Sequence, residues 1–171
     1  MPIFIFIQLH MQCIIVAQND ANGSIFLMTK ILFLCHGNIC RSPMAEFVMK
    51  HLVKQSGLEK EFEIDSAATS TEEIGNDIYP PAKRKLTEKG IPFTRRAARQ
   101  MRRADYDRYD LLICMDDYNI RNMMRILGSD PEHKVSTLLS RPVADPWCTG
   151  DFDSTYDDIL EGCTALLEKL K

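Results

Sequence analysis

The sequence predicts a single doubly wound α/β domain with a central four-stranded parallel sheet flanked by helices. Three observations carry that expectation. Short strand-like runs recur at residues 31–34, 62–66, 110–115 and 135–139, and Leu111, Leu112 and Ile113 in a row suit a strand buried on both faces. Segments of helical apolar spacing lie between and after these runs, the alternation that builds a parallel sheet. At 171 residues, 45% hydrophobic and 26% charged, the chain is about one domain with ordinary globular composition.

In chain order, residues 1–28 read as an N-terminal extension, expected to be poorly ordered, ahead of a domain spanning 29–171. The opening MPIFIFIQLHMQCIIVAQ is apolar. It has no Lys or Arg before its hydrophobic part, and Gln8, His10 and Gln12 interrupt it, so neither a signal peptide nor a spanning helix fits. The first strand runs into Cys35. Ser42 as cap and Pro43 as opener start a helix over 43–55, with Met44, Phe47, Val48, Leu52 and Val53 on one face, Glu46 in its first turn, and Ser56 and Gly57 at its end. Residues 62–66 form a strand, 69–76 a polar loop, and 82–88, after Pro80 and Pro81, a helix ended by Lys89 and Gly90. After the strand at 110–115 come a helix over 118–127 and the strand at 135–139. Phe152, Tyr156, Ile159, Leu160, Cys163, Leu166, Leu167 and Leu170 make one apolar stripe on a closing helix.

Sites in such sheets lie at the carboxyl ends of strands, where Cys35 stands. The loop that follows, His36, Gly37, Asn38, Ile39, Cys40 and Arg41, meets the amino end of a helix, so free backbone N–H groups and the positive dipole end favour an anion such as phosphate. Gly37 and Asn38 tolerate the left-handed backbone that lets successive amides converge. Arg41 adds a fork matched to two phosphoryl oxygens. In that field the thiol of Cys35 is favoured as thiolate, a nucleophile held inside an anion site.

The net charge of −3 and pI of about 5.8 give no reason to expect nucleic acid or an anionic membrane as partner. Residues 83–103 are rich in Lys and Arg with Glu88 the only acid, either a solvated basic face or a rim that steers phosphorylated substrates. The cysteines at 13, 35, 40, 114, 148 and 163 and the scattered His10, His36, His51 and His133 lack metal-ligand spacing. No metal is expected, and the thiols read as reduced cytoplasmic cysteines, with Cys114 and Cys163 in the core.

The stretch CHGNICRSPMAE, residues 35–46, resembles the signature of the low-molecular-weight protein tyrosine phosphatases, within the wider Cys-x5-Arg pattern. The resemblance extends over roughly residues 29–170. It implies a cytoplasmic enzyme that hydrolyses phosphotyrosine in proteins, and small aryl phosphates, through a cysteinyl-phosphate, with no metal or cofactor; a monomer is expected. Displacing a phenoxide requires an acid to protonate the leaving oxygen, and the resemblance assigns that role to Asp145, followed by Pro146. Ser42 either caps the helix or also hydrogen-bonds the Cys35 sulfur, Asn38 braces the loop, and Asp116 either positions Arg41 or caps the next helix. Cys40 is either a disulfide partner for Cys35 under peroxide, as in some members of the family, or a small packing residue.

The chain also departs from the family pattern. Thr71, Glu72 and Glu73 stand where an aromatic residue often walls the pocket, leaving Trp147 to do so alone unless it is buried in the core. Trp147 and Cys148 replace a common tyrosine pair, which removes regulation by phosphorylation there. Arg96 stands near the place of a histidine that belongs to the family's loop-bracing network. Two variants of the activity fit less well: a phosphoarginine phosphatase calls for Thr at Ile39, and a thiol-dependent arsenate reductase for a second cysteine pair, whereas Cys114 stands alone. A silent phosphate-binding module conflicts with the presence of Cys35, Arg41 and Asp145 together.

Overall fold

The computed structural model describes residues 16–19 and 25–171, with burial described from Met28 onward. Much of the N-terminal extension, including His10 and Cys13, therefore lies outside the described residues. Within it, strand β1, Val16–Asn19, pairs antiparallel with the start of β2, Ile25–Cys35, Val16 opposite Met28.

The remaining elements are helix α1 (Arg41–Gln55), a short 3-10 turn (Glu59–Glu61), β3 (Phe62–Ala68), α2 (Pro80–Glu88), α3 (Arg103–Arg108), β4 (Leu111–Cys114), α4 (Asp117–Leu127), β5 (Val135–Thr137), α5 (Pro146–Thr149) and α6 (Phe152–Leu170). Strands β3, β2, β4 and β5 lie side by side in that order, all parallel. In register, Leu34 stands between Ala67 and Cys114, and Cys35 is opposite Ala68. This is the four-stranded parallel sheet expected, with β1 added to the leading end of β2.

Two cores follow from the period-2 alternation of β2. Ile31, Phe33 and Cys35 face one side with Met44, Val48, Met49, Ile159 and Cys163 from α1 and α6. Leu32 and Leu34 face the other with Met101, Tyr106, Tyr109, Met123 and Leu127, supplied by α3, α4 and their flanks. Both faces of the strand are dry, so its run of apolar residues needs no polar alternation. Gly162 lets α6 close over the end of the sheet: a Cβ there would stand 2.4 Å from Leu138 Cγ.

The start of α1 differs from expectation. The helix begins at Arg41 with Cys40 in the cap position and no side-chain cap bond. Ser42 and Pro43 thus lie inside the first turn, and Glu46 falls in the second. Helices α3 and α5 are shorter than the apolar period can report, and neither was expected. Among the described residues no helix is long and apolar enough to cross a membrane.

Candidate active site

Three strand ends converge on one cleft of about 510 Å³. Strand β2 delivers Cys35, the end of β4 delivers Asp116, and the segment after β5 brings Asp145 and Trp147. Cys35, His36, Gly37, Ile39, Cys40, Arg41, Asp145 and Trp147, all expected here, line the cleft, joined by Glu72, Glu73, Asp116, Tyr118 and Cys148. Asn38 and Ser42 sit behind the loop, fully buried.

The loop is shaped by where its carbonyls go. Those of Cys35, His36, Ile39 and Cys40 accept from the amides of Thr69, Ser70, Tyr79 and Met44 at 2.8–3.1 Å, and that of Asn38 accepts from Arg96 Nη1 at 3.0 Å. A trans peptide points its N–H opposite its C=O, so carbonyls turned outward aim the following amides of His36, Gly37, Ile39, Cys40 and Arg41 inward. An inward ring of amides at a helix amino end is an anion nest. The left-handed residue is Asn38, at φ 59°; Gly37 keeps a negative φ. At 37 space is tight, since a Cβ there would lie 3.0 Å from Glu73 Cγ and push that side chain aside.

The Cys35 sulfur is 3.0 Å from Ser42 Oγ and accepts from the Asn38 amide at 3.3 Å. Across the Ser42 contact either the thiol or the hydroxyl can be the donor. Ser42 is therefore a partner of the thiol and not a helix cap. Its hydroxyl is held in turn by Asn38 Nδ2 at 2.8 Å.

Behind the loop lies a polar network built on Asn38. Asn38 Nδ2 also donates to Ser66 Oγ, which donates to Glu46 Oε2 at 2.7 Å. Arg96 completes it, with Nη1 on the Asn38 carbonyl, Nη2 on Asn38 Oδ1 at 2.7 Å, and Nε 3.7 Å from Glu46. Burial pulls the Arg96 pKa below the ordinary arginine value, opposed by Glu46 and Cys35. The brace that the missing histidine called into question is thus rebuilt around a guanidinium. Asp77 steers that segment by accepting from the Arg96 amide at 3.1 Å and from Lys83 Nζ at 2.5 Å.

Arg41, 4% exposed, spans two carboxylates: Nη1 donates to Asp116 Oδ2 at 2.6 Å and Nη2 lies 2.7 Å from Asp145 Oδ2. Burial works against its charge, but Cys35, Asp145 and the Asp116 hydrogen bond outweigh it and raise its pKa. Asp116 does both things expected of it, because its other oxygen caps α4 at the Asn119 amide, 2.7 Å away. Asp145 caps α5 through the Trp147 amide at 3.1 Å.

Trp147 is 63% exposed and meets Tyr79 edge-on, ring centroids 5.4 Å apart. It is a cleft wall and not a core tryptophan, but it is not alone. Tyr118, half exposed in the first turn of α4, faces His36 at 6.2 Å between centroids. Sequence reading missed Tyr118 because it was absorbed into a helix start. Its place two residues beyond a strand-end aspartate was the available signal.

A parallel sheet that ends in a buried thiol, with a seven-residue anion loop closed by arginine, defines a Cys-x5-Arg phosphatase scaffold. The chain belongs to the low-molecular-weight phosphotyrosine protein phosphatase family: the family model described as "Low molecular weight phosphotyrosine protein phosphatase" matches residues 30–171. Low molecular weight protein-tyrosine-phosphatase YfkJ of Bacillus subtilis is 35% identical over 151 residues, 84% of this chain and 97% of that one. The low molecular weight phosphotyrosine protein phosphatase of Homo sapiens is 36% identical over 155 residues, 81% and 94% of the two chains. Among solved structures, that of YfkJ superposes with a TM-score of 0.81, covering 84% of this chain and 94% of that one at 35% identity. The Streptococcus pyogenes enzyme SP-PTP gives 0.79 at 36% identity, over 84% and 94%.

Proposed function

We propose that the chain is a protein tyrosine phosphatase that hydrolyses phosphotyrosine in proteins, and small aryl phosphates, with Cys35 as nucleophile and Asp145 as acid. The observation that carries this reading is the contact set of one side chain: Arg41 closes the loop that cradles Cys35 and also touches Asp145. In the first step the Cys35 thiolate attacks phosphorus as the bond to the tyrosyl oxygen breaks. Inward amides and Arg41 hold the equatorial oxygens, while Trp147 and Tyr118 flank the ring. The phosphoryl group displaces Asp145 from Arg41 Nη2, and the freed carboxylate takes up a proton from solvent and delivers it to the departing oxygen.

In the second step water attacks the cysteinyl-phosphate and passes a proton to Asp145. The S–P bond breaks with its electrons returning to the Cys35 sulfur as thiolate, the Ser42 hydroxyl 3.0 Å away stabilises that charge by hydrogen bonding, and inorganic phosphate leaves. Charge neutralisation by the loop and Arg41 means no cofactor enters either step. The acting unit is residues 29–171, working as a monomer in the cytoplasm on proteins, with neither nucleic acid nor membrane as partner. The free thiols of Cys35, Cys40, Cys114, Cys148 and Cys163 suit a reducing compartment.

Hydrolysis of para-nitrophenyl phosphate tests the assignment. Cys35→Ser is expected to abolish turnover, and retained activity rejects the mechanism. Asp145→Ala is expected to lower kcat by about 10²–10⁴, the usual worth of a general acid, and by less for leaving groups that need no proton.

We also propose Cys40 as the redox partner of Cys35. It lines the same cleft as Cys35 and packs with Ile39 and Ala98, and burial, then the charges of Cys35 and Asp145, push its thiol up to about 12. Peroxide therefore oxidises Cys35 first, and Cys40 then displaces water from the sulfenic acid to form the disulfide. Recovery of activity with dithiothreitol is the expected result, and permanent inactivation contradicts it.

A further inference from the structure

We infer that Glu72 and Glu73 make the cleft selective for phosphotyrosine carried beside lysine or arginine, an inference that rests on the phosphatase reading above. These residues line the same cleft as Tyr118 and Trp147. Glu73 packs on the loop at Gly37 and accepts from Asn76 Nδ2 at 2.6 Å, so a neutral amide holds its carboxylate in place. Glu72 is 68% exposed at its side chain, and its partner is His36 Nε2 at 2.9 Å.

The charge balance of the cleft gives these two acids their effect. Arg41 and, when protonated, His36 are the cations that line it, against Glu72, Glu73, Asp116 and Asp145. Arg41 is committed to Asp116 and to the phosphoryl group. The residues beside a bound phosphotyrosine therefore meet the carboxylates of Glu72 and Glu73 and the exposed rings of Tyr118 and Trp147, all of which line the one cleft. Arg121, with its guanidinium 5.8 Å from the centre of the Tyr118 ring, is the cation that abuts this mouth through Tyr118. A cationic neighbour in the substrate pairs with the carboxylates and lays its alkyl stem on the rings. An acidic neighbour is repelled. Exposed ion pairs of this kind give roughly two- to fivefold each at low salt, so two carboxylates together give on the order of tenfold.

The test uses the full chain and two phosphotyrosine peptides that differ only in arginine or aspartate at the flanking positions. Wild type is expected to show a kcat/KM about tenfold higher for the arginine peptide, and high ionic strength should compress that ratio. In the double variant Glu72→Gln, Glu73→Gln the ratio should fall towards one. Equal rates on both peptides, or a ratio the double variant leaves intact, overturns the inference while the phosphatase reading stands. Failure to hydrolyse either peptide overturns both.

Discussion

At the scale of single residues, the site depends on side chains that do two jobs. Asn38 takes the left-handed backbone that curves the loop, and its amide group ties Ser42, Ser66 and Arg96 together. Arg96→Met removes the donors from two oxygens of Asn38 and the positive charge beside buried Glu46. The expected cost is about 1–3 kcal/mol of stability, chiefly from the buried Asn38 carbonyl left without its donor, since Oδ1 keeps the Arg99 amide at 3.3 Å, and it is read as a lower urea midpoint. The expected kinetic signature is a larger fall in kcat than change in KM, because a loop that has lost its shape fails the transition state first. Unchanged kcat in a folded variant contradicts the bracing role. The signature stretch made the loop legible in sequence, and Asn38 and Arg96 both stand out in the sequence, but their contact was not legible: they are 58 residues apart, and only the fold brings the guanidinium onto the Asn38 oxygens.

At the scale of elements, the long apolar segments were readable and the short polar ones were not. Helices α1 and α6 carry continuous apolar faces and lie close to their expected bounds, whereas β2 begins at Ile25, six residues before the expected run at 31–34. Helices α3 and α5 have 6 and 4 residues, too few for a 3.6-residue period to show. The packing of α6 yields a direct test: Gly162→Ala drives a methyl into Leu138 and is expected to destabilise the protein by about 1–3 kcal/mol, the usual cost of overpacking. An unchanged urea midpoint contradicts that close approach. The segment before α2 is pH-sensitive. A hydrogen bond from Lys83, then those from the Arg96 and Ile78 amides, hold the Asp77 carboxyl down to about 2 from the usual 3.8. A depressed folded-state value adds stability that is present above about pH 4 and is lost as pH falls through about 2. Wild type should therefore lose more stability between those values than Asp77→Asn, and parallel losses contradict the contact.

At the scale of the whole molecule, doubly wound topology explains why residues distant in sequence meet. Parallel strands place their carboxyl ends at one edge, so Cys35, Asp116 and Asp145 converge although they come from different crossovers. Among the described residues of the N-terminal stretch, β1 pairs with the leading residues of β2, Ile25 to Met28, away from that edge. A chain beginning at Met28 is expected to keep the kcat/KM of the full chain, and a large loss would assign the extension a catalytic part. The central claim is that phosphate passes through Cys35, and rapid acid quench of the enzyme during turnover of a phosphotyrosine peptide, followed by mass spectrometry of its fragments, tests it most directly. A phosphoryl group on the fragment containing Cys35, absent from Cys35→Ser, is the predicted result; turnover with no phosphoryl group on that fragment, or with one on another residue, would contradict it.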